Sequence, residues 1–256
     1  MQLNEQMITT ILISVNVFLP IIILIIIYGC LIRRQVGFKI SVIQAIVPIF
    51  FGIIALLIAV AISVGFAIAL SSYGITSAMI PYAPPLKSFF NAFISAGLPE
   101  ELSKLIMILI LFKIFKPKNV HEHVLIGFAV GMGFTFFEEY LYGTVAQMIL
   151  RFLFFPFHSV LASMMAENIG LAARNRKIGK RDNFGLYLKA FLIPVIVHTI
   201  YDAATVYNFA LFTSDDILIT VGLIFALVVL IGTIIFLIIR IIRLYRLAPE
   251  YSHLTV

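Results

Sequence analysis

The sequence predicts an all-α fold, a polytopic membrane helix bundle with about seven transmembrane helices. Of the 256 residues, 62% are hydrophobic and only 12% are charged, whereas a soluble domain has about 45–50% apolar and about 25% charged residues. Several uncharged runs exceed the roughly 18 residues that are typical of a transmembrane helix. The basic residues gather in alternate connections between these runs.

The apolar runs divide the chain into seven predicted spans. We treat residues 1–256 as a single integral membrane domain, because the loops are too short to hold a folded soluble domain. The second run is longer than a bilayer requires, so we expect a tilt, a kink at Pro48 or a partly interfacial segment. The predicted spans are 7–32, 40–70, 89–112, 124–143, 152–173, 186–212 and 217–239.

Lysine and arginine are distributed asymmetrically between the two ends of these spans. Fourteen of the 18 lie in the connections after the first, third and fifth spans and in the C-terminal tail. Positive charge is retained on the cytoplasmic side of a membrane, so we expect the N-terminus outside and the C-terminus in the cytoplasm. These basic residues are then topology signals and contacts for lipid headgroups, which argues against a nucleic-acid partner. The single cysteine excludes an internal disulfide.

Several ionisable residues remain inside the predicted spans, where each costs about 2.5–3.5 kcal/mol on insertion scales. Such residues must be paired, neutral or in a wet cavity, and they are candidates for function. The predicted orientation places most of them between the midplane and the outer surface, on four different spans. These residues are Glu100, Glu101, Lys104, Glu138, His158, His198 and Asp202. Their common depth predicts one shared polar chamber.

The spacing of these residues supports a shared chamber. Glu100 and Lys104 are four residues apart, as are His198 and Asp202, so each pair lies on one helix face. The fourth span carries three glycines shortly before Glu138, and small residues let helices approach closely in lipid. We therefore expect Glu138 to be pressed against neighbouring helices. Carboxylates clustered in a low dielectric cannot all be charged, which is useful for general base catalysis.

Three short motifs in this set resemble those of a known family. They are EELSK from Glu100, FTFFE from Phe134 and HTIYD from His198. They look like the EExxK, FxxxE and HxxxD motifs of the PrsW-type intramembrane proteases, to which the YhfC-like group is related. That family belongs with the CAAX prenyl endopeptidases and the Abi proteins in a superfamily of glutamate-dependent membrane proteases. The motifs span residues 100–202, and the first and last spans carry no resemblance that we can specify.

The resemblance implies an intramembrane endopeptidase that hydrolyses a peptide bond with a glutamate-activated water and no cofactor. Glu100 would be the general base, and Glu138 would hold or shuttle the proton. His198 and Asp202 would bind the developing oxyanion or orient the substrate carbonyl. An ionised aspartate cannot donate to an oxyanion, so Asp202 is better suited to orient His198 or to stay protonated. Glu101 completes the predicted catalytic set.

The residues expected to contact substrate are Lys104, His158 and Phe134. Glu101 and Lys104 would form an ion pair that sets the charge of the site. His158 could instead be a buried imidazole with satisfied hydrogen bonds.

The remaining ionisable residues in and near the spans are expected to be structural. Glu167 lies nearer the inner surface, and Lys189 is expected to extend to the headgroups. His121 and His123 are expected as exposed residues of an inner loop, and Glu139 as a residue on a different face from Glu138.

Three alternatives to a glutamate protease remain open. Glu100, Glu138, His158 and His198 could form a zinc site of an intramembrane metalloprotease. The same polar cluster could serve a proton-coupled transporter, or the fold could belong to a non-enzymatic immunity or assembly factor. For the protease, the resemblance implies the bacterial plasma membrane and catalytic helices at about 89–212. It also implies a membrane-anchored protein or peptide as substrate, for example an anti-sigma factor.

Overall fold

The computed structural model describes residues 21–74, 84–141, 156–180 and 182–256, without the side chains of 139–141. In this part of the chain the regular structure is helical, and strand-type pairing is limited to an isolated bridge between Asn119 and Thr255. The prediction of an all-α bundle is confirmed for these residues. Parts of the predicted first, fourth and fifth spans, at 7–20, 142–143 and 152–155, lie outside them, as does the side chain of Glu139.

The helices follow one another with short connections. A π-helix (Phe93–Gly97) joins α3 to α4 without a break, and a 3-10 turn (Phe209–Phe212) lies between the last two α-helices. The α-helices are α1 (Ile21–Arg33), α2 (Val42–Ser72), α3 (Pro84–Ala92), α4 (Leu98–Phe115), α5 (Val120–Leu141), α6 (Phe157–Lys177), α7 (Phe184–Ala204) and α8 (Asp216–His253).

Four helices of the described chain are long and apolar enough to cross a membrane, namely α2, α5 as far as Glu138, α7 and α8. The chain is therefore a membrane protein. Helix α1 is apolar but shorter, while α4 and α6 each carry four charged residues. The count of seven spans and the orientation of the termini stay predictions.

Helix α5 lies at the centre of the bundle, between α2 and α6. A Cβ atom added at Gly133 would overlap the backbone carbonyl of Ile49 in α2, and one at Gly131 would overlap the backbone of His158 in α6. Glycine is required at both positions because the helices touch through their backbones, as small residues allow in lipid. This close packing fixes the distance between α5 and the start of α6, where the histidine lies.

Helix α5 begins at Val120, four residues before the predicted span, because Asn119 caps it. The Asn119 Oδ1 atom accepts a hydrogen bond from the Glu122 backbone N–H at 2.9 Å, and Glu122 Oε1 accepts one from Asn119 Nδ2 at 3.0 Å. The first of these bonds is the side-chain cap that is typical of a helix start. The expectation that His121 and His123 are exposed loop residues is therefore wrong, since both are buried in the first turn of α5.

Helix α8 does not end with the predicted last span at residue 239 but continues to His253. The segment after it pairs with the connection between α4 and α5: Val120 N donates to Leu254 O at 3.1 Å, and Val256 N donates to Lys118 O at 2.9 Å. The extension is stabilised by a buried carboxylate, Glu167 of α6, that contacts it. This side chain accepts hydrogen bonds from Arg240 and, at 2.6 Å, from Tyr251 Oη.

Candidate active site

Four helices bring the predicted polar residues together in one buried group, which we call the polar cluster. Each of its side chains is at most 8% exposed as a residue, although four different helices supply them. The members are Glu100, Glu101 and Lys104 of α4, Glu138 of α5, His158 of α6, and His198 and Asp202 of α7. The prediction that these residues lie close together is confirmed by the distances given below.

The π-helix before α4 positions the two glutamates. Its wide turn ends at Gly97, and Pro99 follows as the second residue of α4. A Cβ atom at Gly97 would overlap the Thr199 hydroxyl of α7. Because α4 and α7 touch at this point, Glu101 comes within hydrogen-bonding distance of His198. Single turns of π-helix occur frequently at functional sites.

Glu101 and Lys104 form the bonded half of the polar cluster, through the Glu101 Oε1 atom; Glu101 Oε2, like Glu100 Oε2, is buried without a hydrogen bond. The Lys104 Nζ atom lies 2.6 Å from Glu101 Oε1 and 2.9 Å from His158 Nδ1. The same Glu101 Oε1 atom lies 2.6 Å from His198 Nδ1. The predicted ion pair between Glu101 and Lys104 is therefore present, and it joins α4 to both α6 and α7.

Glu100 is the open half of the polar cluster. Its Oε2 atom is buried and makes no hydrogen bond. Three nitrogens surround it at distances too long for direct bonds: His198 Nε2 at 3.6 Å, His158 Nδ1 at 3.9 Å and Lys104 Nζ at 3.9 Å. A buried carboxylate oxygen without a partner is costly, and contacts of this length between polar groups are commonly bridged by water. The geometry therefore fits a carboxylate that receives its partner from outside the protein.

Each histidine has one ring nitrogen against a carboxylate and the other directed toward Glu100. His158 Nε2 lies 2.6 Å from Glu138 Oε2, and His198 Nδ1 contacts Glu101 as described. Asp202 Oδ2 lies 3.5 Å from the inward nitrogen of His198, Nε2. A carboxylate on the outer nitrogen fixes the orientation of an imidazole.

Two phenylalanines form the apolar walls of the cluster. The ring of Phe134 is fully buried, with its centre 4.3 Å from Lys104 Nζ and 5.0 Å from the His158 ring. Phe157 was not predicted, yet its ring centre is 5.4 Å from the centres of both histidine rings. Its position directly before His158, in the sequence FPFHSV, was the available signal. These rings pack against the two histidines.

Three members of the cluster have the donor atoms of a metal site. Among the described residues, Glu100, His158 and His198 offer one ligand atom each within 4.8 Å of one another. The predicted set also included Glu138, but its carboxylate contacts His158 Nε2, the ring nitrogen that points away from Glu100. The donor set fits Zn²⁺, since two imidazoles and a carboxylate are a common zinc triad, and both outer nitrogens are held by carboxylates. Lys104 Nζ, 2.9 Å from His158 Nδ1, would compete with the metal ion for this nitrogen.

The other ionisable residues lie away from the cluster. Glu167 contacts Arg240, Arg243 and Tyr251, which agrees with the structural interpretation from sequence. His121 Nε2 lies 3.0 Å from Leu31 O, and His123 Nδ1 lies 2.9 Å from Asn119 O. In the part of the chain that the structure describes, neither of these histidines belongs to a potential metal site.

Comparison with known proteins identifies the family of this chain. A family model described as "PrsW family intramembrane metalloprotease" matches residues 47–233, well over half of the chain and more than the motifs at 100–202 suggested. The match includes every member of the polar cluster, which places the protein in the class of intramembrane proteases. The chain belongs to the PrsW family. Comparisons with curated proteins and with solved structures found no match.

Proposed function

We propose that this protein hydrolyses a peptide bond of a membrane-associated protein or peptide, with a water that Glu100 activates. The observation that carries the proposal is the buried Glu100 Oε2 atom, which has no hydrogen-bond partner and faces three nitrogens at 3.6–3.9 Å. A general base must be able to accept a proton from water. Glu101, by contrast, already accepts bonds from Lys104 and His198 through Oε1.

In the proposed reaction, Glu100 removes a proton from the water as the water oxygen attacks the carbonyl carbon of the scissile bond. The carbonyl oxygen then carries negative charge, which nearby donors stabilise. Lys104 and His198 are the suitable donors, since each has a nitrogen within 4 Å of Glu100 Oε2. Glu100 returns the proton to the amide nitrogen, and the C–N bond breaks to give a carboxyl group and an amine.

Glu138 and His158 would hold or transfer the proton during this exchange. Glu138 Oε2 contacts His158 Nε2 at 2.6 Å, and His158 Nδ1 lies 3.9 Å from Glu100 Oε2. The imidazole therefore stands between the two carboxylates, and a water next to Nδ1 would complete a path from Glu100 to Glu138. Asp202, 3.5 Å from His198 Nε2, would orient this imidazole.

The substrate would be a membrane-anchored protein or peptide of the bacterial plasma membrane, cut toward the extracytoplasmic side. The predicted orientation supports this side, because it places the polar cluster in the outer half of the bilayer. An anti-sigma factor is the kind of substrate that the family resemblance implies.

A zinc-dependent form of the same protease is the second candidate. It is favoured by the donor set of Glu100, His158 and His198 and by the family description as a metalloprotease. A bound Zn²⁺ would polarise the scissile carbonyl and make a bound water easier to deprotonate. In this form Glu101 and Glu138 would keep their places on the outer nitrogens of the two histidines. Lys104 would then give up His158 Nδ1 and remain paired with Glu101.

Comparative proteomics of membranes tests the activity itself. Bacteria that express the wild type, Glu100→Gln or Glu250→Gln are compared for new protein termini in membrane-anchored proteins. Glu250 is exposed and distant in sequence from the cluster, so its variant is the matched control. We expect the new termini to disappear only in Glu100→Gln, because general base catalysis contributes about 10²–10⁴-fold. Undiminished cleavage in Glu100→Gln would remove Glu100 as the base.

The metal is tested with the purified protein and a reporter built from a cleaved site. The glutamate mechanism predicts activity that a chelator does not change and no stoichiometric zinc in elemental analysis. Loss of activity with a chelator, recovery with zinc, and loss of bound zinc in His158→Ala and His198→Ala would instead establish the metal-dependent form.

A further inference from the structure

A second polar region lies at the opposite end of α4 from the polar cluster. A pocket of about 640 Å³ opens where α4 and α6 end and α5 begins, with the last residues of the chain as one wall. Four cations line it, and no aspartate or glutamate does. They are Lys116, Lys118, Arg176 and Lys177, and we call this site the basic pocket.

The cations of the basic pocket form no ion pair with a described Asp or Glu side chain, although the Glu122 carboxylate lies close to Lys118 and accepts from its backbone N–H at 2.8 Å. No side-chain nitrogen of the four lies within 4.0 Å of a described Asp or Glu carboxylate oxygen. Lys177 Nζ donates to the Val256 carbonyl at 3.3 Å, and Lys118 Nζ lies 4.6 Å from the centre of the Phe38 ring. Four like charges around one concave surface repel one another and raise the local concentration of anions.

The basic pocket is also partly apolar and borders the lipid-facing side of α4. Phe38 and Phe112 line it beside the cations. The exposed residue Leu109 lies on the same face of α4 as Phe112 and Lys116 and continues from the pocket along the helix. A ligand that fits this combination has an anionic group next to hydrocarbon chains. Basic pockets between transmembrane helices on the cytoplasmic side are suited to anionic lipid headgroups.

We propose that the basic pocket binds the phosphate of an anionic phospholipid, with the acyl chains of the lipid lying along the face of α4 that carries Leu109. Lys116 and Arg176 stand on different helices, at the ends of α4 and α6, so one phosphate between them would link these helices. Arginine can hold a phosphate with two parallel hydrogen bonds, and lysine acts as a point charge. Site and ligand are independent of the peptidase chemistry at the polar cluster.

Native mass spectrometry of the full chain tests this proposal, with phosphatidylglycerol as the anionic probe and phosphatidylcholine as the neutral one. The pocket variant Lys116→Gln/Lys118→Gln/Arg176→Gln/Lys177→Gln is compared with Arg33→Gln/Lys180→Gln/Lys189→Gln/Arg246→Gln. The second variant removes the same charge from exposed residues that do not line the pocket. We expect the pocket variant to bind phosphatidylglycerol at least about tenfold more weakly, since each basic residue near a charged headgroup contributes measurably. The control variant and the affinity for phosphatidylcholine should change little.

Three results would overturn the proposal. Equal loss in both variants would mean that general surface charge attracts the lipid. Unchanged binding in the pocket variant would place the lipid elsewhere. Displacement of the lipid by millimolar inorganic phosphate would mean that the pocket takes a soluble phosphate. If the fourfold variant does not fold, Lys116→Gln/Arg176→Gln against Arg33→Gln/Lys189→Gln gives the same comparison with two charges.

Discussion

Two buried carboxylates in neighbouring parts of the bundle have opposite surroundings. Glu167 is bonded through both oxygens: Oε2 accepts from Arg240, and Oε1 accepts from Tyr251 at 2.6 Å. Glu100 has similar burial, but its Oε2 atom is without a hydrogen bond and its three nearest nitrogens lie at 3.6–3.9 Å. A fully bonded carboxylate joins helices, whereas an open one is available for a reaction.

The same contrast occurs within the polar cluster, between two adjacent residues. Glu101 is held by Lys104 and His198 at 2.6 Å each, and Glu100 is held by neither at that distance. Oε2 of each glutamate is buried without a hydrogen bond, but Glu101 is already held through Oε1, so Glu100 is the residue at which we expect a substrate or water. Burial and residue type alone would not have separated the two glutamates.

The largest expected effect is the loss of folding stability when Glu167 is replaced. Replacing Glu167 with Ala leaves Arg240 buried without its partner, and breaking a buried ion pair costs about 3–5 kcal/mol. Glu100→Ala removes no hydrogen bond from the side-chain oxygen Oε2 and should cost much less. Unfolding of both variants in detergent micelles, followed by circular dichroism, measures the difference. Equal destabilisation would contradict the contrast between the two carboxylates.

The next prediction compares Glu101→Gln with Glu100→Gln, which are the same isosteric change at two adjacent residues. Glu101→Gln removes the negative charge that Lys104 contacts at 2.6 Å, and bonds to charged groups contribute about 1.5–3 kcal/mol. Glu100→Gln should leave the free energy of unfolding nearly unchanged while abolishing cleavage. Measuring unfolding and cleavage on the same two preparations separates the structural role of Glu101 from the proposed catalytic role of Glu100. A stable Glu101→Gln protein beside an unstable Glu100→Gln protein would reverse our assignment.

A smaller effect is expected from Gly131→Ala, which perturbs the cluster from outside. The added methyl group would overlap the backbone of His158 and Ser159, and overpacking costs about 1–3 kcal/mol. Because the start of α6 must move, cleavage should fall more than the loss of stability explains. The ratio of activity to folded fraction, measured at a temperature where the variant is folded, tests this. A variant with normal activity would show that the position of His158 is not critical.

The smallest effect is expected from Gly65→Ala in α2, the control for Gly131→Ala. A Cβ atom at Gly65 meets nothing within 4 Å, and replacing glycine by alanine in a helix stabilises it by about 0.4–1 kcal/mol. The melting temperature should rise slightly, and cleavage should be unchanged. A clear loss of activity would indicate that α2 moves during the reaction or contacts the substrate at this position.

Most of the fold was predictable because the apolar runs are long. The second predicted span, 40–70, corresponds to α2 at Val42–Ser72. The start of α5 could also have been found, since Asn119 followed by Glu122 is a sequence signature of a helix start. The end of α8 could not have been found from the sequence. It depends on Glu167 contacting Tyr251, 84 residues away, and no local pattern contains such a contact.

The membership of the polar cluster was predictable from depth and spacing, but its internal bonding was not. The spacing of Glu100, Glu101 and Lys104 fits either glutamate as the partner of the lysine. The three-dimensional arrangement selects Glu101, because α7 approaches α4 at Gly97 and Thr199 and brings His198 to the same carboxylate. The position of His158 depends in the same way on the contact between α5 and α6. These distances are set by tertiary packing.

Helix α4 is unbroken over its 18 residues, a length of about 27 Å at 1.5 Å per residue. Its first turn holds both glutamates, and the residue after its last turn is Lys116 of the basic pocket. A rod of this kind transmits displacement from one end to the other, because its backbone hydrogen bonds resist bending. The proposed peptidase chemistry at one end of α4 and the proposed lipid site at the other would therefore be mechanically linked.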